Sequence, residues 1–458
     1  MKNGWRNASF SFWLLIAFLS LVALTGGSSR SDVQSLAILR PVAVMIFGIA
    51  LINFKTEYFR GHALLFGIIA AIWVLLIGQL VQLPPALWQG LPGRELVADI
   101  GAISGPKEVY RTLSLDSEAT WNALFSLFIP TIALLLAMSI SADERFLLLF
   151  VIMFFAACSG LLGLFQSIGA PESSLYYYRI TNNGAAVGFF ANRNHQALLL
   201  ACLFPVLATF ASTAARSGDR SMIFGGLAIG IGAVAVPLLL ITGSRAGLVM
   251  GALSFLAALI LYRTNTAVKE KVAVARNSVL PIAIGVGALL IGGATIWLSR
   301  AEAVSRLSNS NGDGDLRFEI WLQIWQMVSN YSPFGTGAGS FSTVFKTDEH
   351  SAAMHMNYVN QAHNDLLDVF LTSGFPGVLI FSVASLYLGR AAWSALRAPN
   401  AGRNGPLAKL GAVIVAIYAT GSLVDYPLRV PFSAVIFCIA VVWMTTCDKE
   451  YTKIAGRA

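Results

Sequence analysis

Apolar residues recur in stretches of about 18 or more along the whole chain, separated by more polar connections. Runs of that length read as membrane-spanning helices, because a helix needs about 20 apolar residues to cross the hydrocarbon core. The pattern predicts twelve spans, at roughly 10–26, 35–54, 62–82, 121–141, 146–169, 196–214, 222–242, 245–262, 277–298, 372–389, 408–424 and 430–447. The fold class is therefore an all-α polytopic membrane protein, read as a single integral-membrane domain over 1–458.

Composition agrees with the pattern. Of 458 residues, 56% are hydrophobic and 12% charged, about half the charge of a soluble domain, and the mean hydropathy is +0.69. A soluble enzyme, a disulfide-rich secreted domain and a disordered protein are excluded. Cys158, Cys202, Cys438 and Cys447 lie in or at the end of apolar runs, form no CxxC pair and read as small buried hydrophobes.

The net charge of +8 changes the picture only through its placement. Lys and Arg sit in short clusters between apolar runs, without a basic stripe interleaved with aromatics, so nucleic acid is not an expected partner. Every second connection is basic: Lys55 and Arg60; Arg145; Arg216 and Arg220; Arg263, Lys269, Lys271 and Arg276; Arg390, Arg397, Arg403 and Lys409; then Lys449, Lys453 and Arg457. By the positive-inside rule both termini are cytoplasmic. The first apolar run follows Lys2 and Arg6 like a signal peptide, but Leu24-Thr25-Gly26-Gly27 is a poor cleavage site, so it is expected to stay as the first helix.

Two connections on the opposite face are long. The first, 83–120, holds Pro84-Pro85, Trp88 and Pro92. The second, 299–371, opens with a polar stretch, Ser308 to Asp315. Asp315 is expected to cap a helix running from about 316 to 330. Leu316, Ile320, Ile324 and Met327 recur there at helical spacing, with Trp321 and Trp325 beside them. Such a helix lies on the membrane or folds over a cavity.

Four polar stretches gather on that same face. Asn192-Arg193-Asn194-His195 opens the sixth span and puts donors at a helix N-terminus, where an anion is favoured; a plain polar helix start is the alternative. Ser244-Arg245-Ala246-Gly247 leaves almost no loop between two spans, so Arg245 sits at the interface, suited to bidentate phosphate contact or to snorkelling among headgroups. Arg317 lies one turn before Trp321, with Arg306 upstream; a cation and an indole on one face suit a sugar phosphate or anionic lipid. Gln361-Ala362-His363-Asn364-Asp365 supplies a histidine that can act as a general base, or as a helix-start residue. His350, His355 and His363 share the long loop, but their spacing is unlike a zinc site. Asp425-Tyr426-Pro427-Leu428-Arg429 reads as a tight turn closed by a structural ion pair. The set is rich in Arg and His and poor in the paired carboxylates a glycosidase needs. Cations plus one base suit transfer from an activated, anionic leaving group such as a diphosphate, and no Walker motif is present.

These residues resemble the O-antigen ligase and polysaccharide polymerase superfamily. The resemblance rests on Phe190 to His195, on Ser244 to Gly247, on Arg317 with Trp321, and on Pro333 to Phe341. It continues in His363-Asn364-Asp365, in Gly374-Phe375-Pro376-Gly377 and in Leu113-Ser114-Leu115-Asp116 of the first long loop, covering about 110 to 430. It implies a multi-span glycosyltransferase of the GT-C type in the bacterial inner membrane. Such an enzyme moves a glycan from undecaprenyl diphosphate onto an acceptor sugar at the periplasmic face, with inversion, no metal and no cofactor. On that pattern Arg245 and Arg317 hold the donor diphosphate, His363 is the base, and Arg193 assists or positions the acceptor. Asn194, His195, Asn364, Trp321 and Arg306 complete the expected substrate site. The acceptor is a lipid-linked repeat unit in a polymerase or the lipid A core in a ligase. A chain-length regulator and a flippase are conceivable partners, and polymerase is the narrow preference. The rival from another class is a lipid-linked glycan transporter. The gathering of polar groups on one face argues against it, because a carrier needs access from both sides.

Overall fold

The computed structural model describes residues 5–104, 109–215, 221–266, 313–348, 359–400 and 402–446. The expected span 277–298, Arg306, His350 and His355 lie outside the described residues.

The apolar runs become α1 (Phe10–Thr25), α2 (Leu36–Asn53), α3 (Ala63–Gln79) and, after α4 (Glu95–Ser104) in the first long loop, α5 (Ser117–Ser126) continuing as α6 (Phe128–Ser139). They continue as α7 (Ala142–Ile168), α8 (Arg193–Ala215), α9 (Ser221–Ile241) and α10 (Arg245–Thr266). The second long loop holds α11 (Asp313–Tyr331) and α12 (Phe341–Asp348), and α13 (Asp365–Arg397), α14 (Asn404–Gly421) and α15 (Pro431–Thr445) complete the fold. Among the described residues seven helices are long and apolar enough to cross a membrane; α1, α3 and α15 are shorter apolar helices. Each expected span with described residues falls on a helix, and the 408–424 span falls on α14, which is not among those ten. A multi-pass, mostly helical membrane protein follows.

Packing is ordered around α8, which touches α7, α9, α10 and α14, while α15 joins α14 to α6 and the α1–α2 pair. The 18-residue apolar windows of α8 and α2 are 78% and 28% buried. Lipid tails are as apolar as leucine, so outer helices keep apolar residues exposed. Ile52, Val74, Leu379 and Leu386 are examples.

Two ends of the bundle differ. At one, Arg403 pairs with Asp143 at 2.6 Å, Lys409 donates to Asn400 and Asn400 donates to the Thr264 carbonyl. The long loops belong to the other end. There Gln82–Leu83 pairs antiparallel with Arg111–Thr112, and the two loops interlock. The Leu115 amide donates to the Thr336 carbonyl at 2.8 Å, the Ala338 amide to Gln79 Oε1 at 2.8 Å, and Thr343 to Asp116 at 2.6 Å. The buried Arg94 guanidinium donates to the Leu113 carbonyl and reaches that of Gly335 at 3.5 Å; burial holds its pKa down to about 10.

The glycines at 335, 337 and 374 have φ of 77°, 105° and 56°, a region costly for residues with a Cβ. A Cβ at Gly337 would strike Ser114, and one at Gly335 the backbone at Ser373–Gly374. Only bare backbone lets the 333–341 segment wedge between the first loop and α13. Gly374 is also where α13 breaks its helical geometry, just before Pro376.

The loop helix is longer than expected. It starts at Asp313, so Asp315 lies within its first turn and does not cap it. Ile324, Met327, Val328 and Tyr331 pack on Phe341, Val344, Phe345 and Leu371, while Leu322 and Trp325 face outward. The helix is docked against α12 and α13 by its apolar face.

Candidate functional site

The site forms where four chain segments meet at the end that carries the long loops. Asn364 stops the incoming loop and starts α13: its side chain accepts from the amides of Leu366 at 3.0 Å and Leu367 at 3.2 Å. Its own amide group donates to the Leu423 carbonyl at 3.2 Å, tying the start of α13 to the turn after α14. His363, just before this cap, has a left-handed φ of 49°, unusual for a residue with a Cβ. Trp321 donates its indole N–H to the Ala362 carbonyl at 3.0 Å, so the loop helix is fastened directly to the histidine's neighbour.

Asp425 is the centre of the cluster, and it is only 5% exposed. His363 Nδ1 lies 3.3 Å from its Oδ1 and His195 Nε2 lies 3.9 Å away. Asn194 donates to its Oδ2 at 2.8 Å, and the Tyr426 amide to its Oδ1 at 3.0 Å. Burial alone would push this carboxyl up. His363, then His195 and Asn194, more than offset that and hold it well below the usual carboxylate range, so Asp425 is an anion at any working pH. The Tyr426 ring packs edge-on to both imidazoles, 5.2 Å from His195 and 5.0 Å from His363, and burial pushes its hydroxyl up and keeps it protonated.

A second chain of contacts leads to Arg245. Asn194 Oδ1 accepts from the Ser244 hydroxyl at 2.7 Å, and Ser244 Oγ in turn accepts from the Gly247 amide at 2.9 Å, capping α10. Arg245 is thus the first residue of α10 and is exposed, one position from a side chain bonded into the Asp425 cluster. Arg193, half-buried, opens α8, and its amide donates to Asn182 Oδ1 at 3.1 Å. Arg317 sits on α11 one turn before Trp321; its side chain and Arg306 lie outside the described set.

Beside this cluster is another. Arg429 Nη2 lies 2.7 Å from Asp368 and its Nε 3.4 Å from Asp365, and these carboxylates hold its charge against burial. The expected ion pair within the 425–429 turn is therefore corrected. Arg429 faces α13, and Asp425 faces two histidines, because the short 3₁₀ turn Pro427–Arg429 points the two side chains apart. The expectation of few carboxylates is corrected too, since Asp365, Asp368 and Asp425 meet at one end. Sequence reading missed them because Asp425 is 231 positions from Asn194 and no local spacing signals that pairing. The signal that existed was the polarity of the Asp-Tyr-Pro turn itself. Among the described residues no group of three or more His, Cys, Asp or Glu could hold a metal ion.

The structure brings together Asn194, His195, Ser244 with Arg245, Trp321, His363 and Asn364. Comparison with known proteins bears on the same region. No curated protein matches the chain. Residues 230–382 match the family model described as O-antigen ligase, a segment that holds Arg245, Arg317, Trp321, His363 and Asn364, whereas Arg193, Asn194, His195 and Asp425 lie outside it. Over residues 230–382 the chain is similar to the O-antigen ligase family, which supports its place in the O-antigen ligase and polysaccharide polymerase superfamily.

Proposed function

We propose that the protein is a periplasmic-face, metal-independent inverting glycosyltransferase of the bacterial inner membrane. It transfers a glycan from undecaprenyl diphosphate onto an acceptor sugar, and polysaccharide polymerase is the leading reading. The observation that carries this is the 3.3 Å pairing of His363 Nδ1 with a buried, anionic Asp425, beside the arginine that opens α10. Asp425 favours the tautomer with a proton on Nδ1, which leaves His363 Nε2 to accept a proton. The acceptor hydroxyl loses its proton to Nε2 as its oxygen attacks the anomeric carbon. The bond from that carbon to the diphosphate oxygen breaks on the opposite side, which inverts the centre. Arg245 and Arg317 stabilise the lipid diphosphate as it leaves, and Arg193, Asn364 and Trp321 position the sugars.

The family description names O-antigen ligase, which makes transfer to the lipid A core the second reading. The deciding experiment uses a strain lacking the protein, complemented with wild type or His363→Ala shown to be membrane-inserted, with lipopolysaccharide and secreted polysaccharide resolved by size. Long secreted chains restored by wild type alone identify a polymerase. Capped lipopolysaccharide restored by wild type alone identifies a ligase. Equal restoration by both proteins removes His363 as the base and returns the transporter reading.

A further inference from the structure

A cavity of about 420 Å³ opens at the same end of the bundle and is lined by no residue of α10. Its polar wall comes from the 28–31 segment, from Arg40 near the start of α2, from Gln361 just before His363, and from Arg429. The rest of its lining is mostly apolar. Through Ile72, Leu127, Pro130, Phe381, Ala384 and Leu428 it shares its lining with a second cavity of about 540 Å³, which is almost wholly apolar. That second space runs beside α14 from Ser422 to Ala412, ten residues or about 15 Å of helix. A polar cavity that shares a wall with an apolar one alongside α14 fits an amphipathic molecule standing parallel to the helices.

The sign of its headgroup follows from which cations are already engaged. Arg30 is held by Asp32 at 2.8 Å and Arg429 by Asp365 and Asp368. The buried Nε of Arg40 has no hydrogen-bond partner among the described residues, and neither have Gln361 Oε1 and Ser373 Oγ, which also line the cavity. A buried guanidinium donor without a partner is costly, and an anionic oxygen is the group that would satisfy it bidentately.

We propose that this cavity holds a lipid with a phosphate or diphosphate headgroup at Arg40 and its hydrocarbon chain in the apolar channel. Resting on the function proposed above, that lipid is the anchor of the acceptor glycan. The donor diphosphate occupies the Arg245 side, and the two lipids flank His363 and Asp425 from opposite sides. Gln361 lies two positions from the histidine, so the acceptor sugar leaves the cavity directly beneath the base.

The test is a binding titration on the full-length protein in detergent, followed by native mass spectrometry. The probes are farnesyl diphosphate, dilauroyl phosphatidic acid, inorganic diphosphate and farnesol. Farnesyl diphosphate or the phosphatidic acid should bind at least about tenfold more tightly than inorganic diphosphate or farnesol, since head and chain both contribute. Whichever of the two lipids binds better identifies an isoprenoid or an acyl anchor. Arg40→Ala and, independently, Ala384→Trp, which fills the channel, should each weaken that binding about tenfold, with Arg40→Lys in between. Unchanged binding in both Arg40→Ala and Ala384→Trp overturns the site, and the function proposed above then still stands on His363. Conversely, full transfer by His363→Ala together with lost lipid binding by Arg40→Ala would overturn that function and leave the lipid site in place.

Discussion

Two acid clusters sit side by side at one end of the bundle, and their partners separate their roles. Asp365 and Asp368 face Arg429, whose charge is permanent, and that cluster fastens the 427–429 turn to α13. Asp425 faces His363, His195 and Asn194, so none of its partners carries a permanent charge. A carboxylate held by an arginine is structural; one held by a histidine can steer a proton. The difference is one of partner chemistry, since all three carboxylates are buried.

That contrast breaks most sharply at His363. His363→Ala should lower glycan transfer about 10³-fold, roughly 4 kcal/mol, with little change in the melting temperature of the purified protein; a comparable loss of stability would assign His363 to the structural cluster. Arg429→Ala should do the reverse and lower stability by about 3 kcal/mol, because two buried carboxylates lose their cation, as read by thermal unfolding in detergent.

Asp425→Asn should cost about 10²-fold in transfer, roughly 2.7 kcal/mol. Because the amide can still accept a hydrogen bond but carries no charge, the variant should also shift the pH profile of transfer, which a purely structural role would not do. Ser244→Ala removes the link from Asn194 to the start of α10 and should cost only about 1 kcal/mol, seen as a several-fold loss of transfer with lipid binding at Arg40 intact. The smallest effect concerns acid. The folded Asp425 carboxyl lies below its unfolded value of about 3.9, so its stabilisation is complete above that value and fades as pH falls through the folded one. Wild type should therefore lose stability below about pH 4 more steeply than Asp425→Asn, a difference that acid unfolding curves would measure.

Much of the site was legible because its residues lie at span ends, where a polar group interrupts an apolar run. Arg193, Asn194, His195, Arg245 and His363 all stand out that way. Asp425 and Arg40 were visible as polar residues but not as participants. The first was expected to pair within its own turn, and the second stands alone in an apolar run, where no neighbouring polar residue signals a site. A helix bundle brings together residues from distant spans, and no local pattern in the chain encodes which span ends become neighbours.

The chain by itself determined that it forms apolar helices, and it determined which connections are long and polar, because the cost of burying charge or unpaired backbone in lipid is set residue by residue. It also determined that arginines and histidines would stand near span ends. Only the tertiary structure decided that Asp425 meets His363 while Arg429 meets α13. The same is true of the wedge of the glycine turn at 335–339 against the first loop, and of Arg40 lining a cavity that shares a wall with an apolar one. Those outcomes depend on which helices pack around α8, and among helices equally apolar that choice is made by shape and by a few hydrogen bonds.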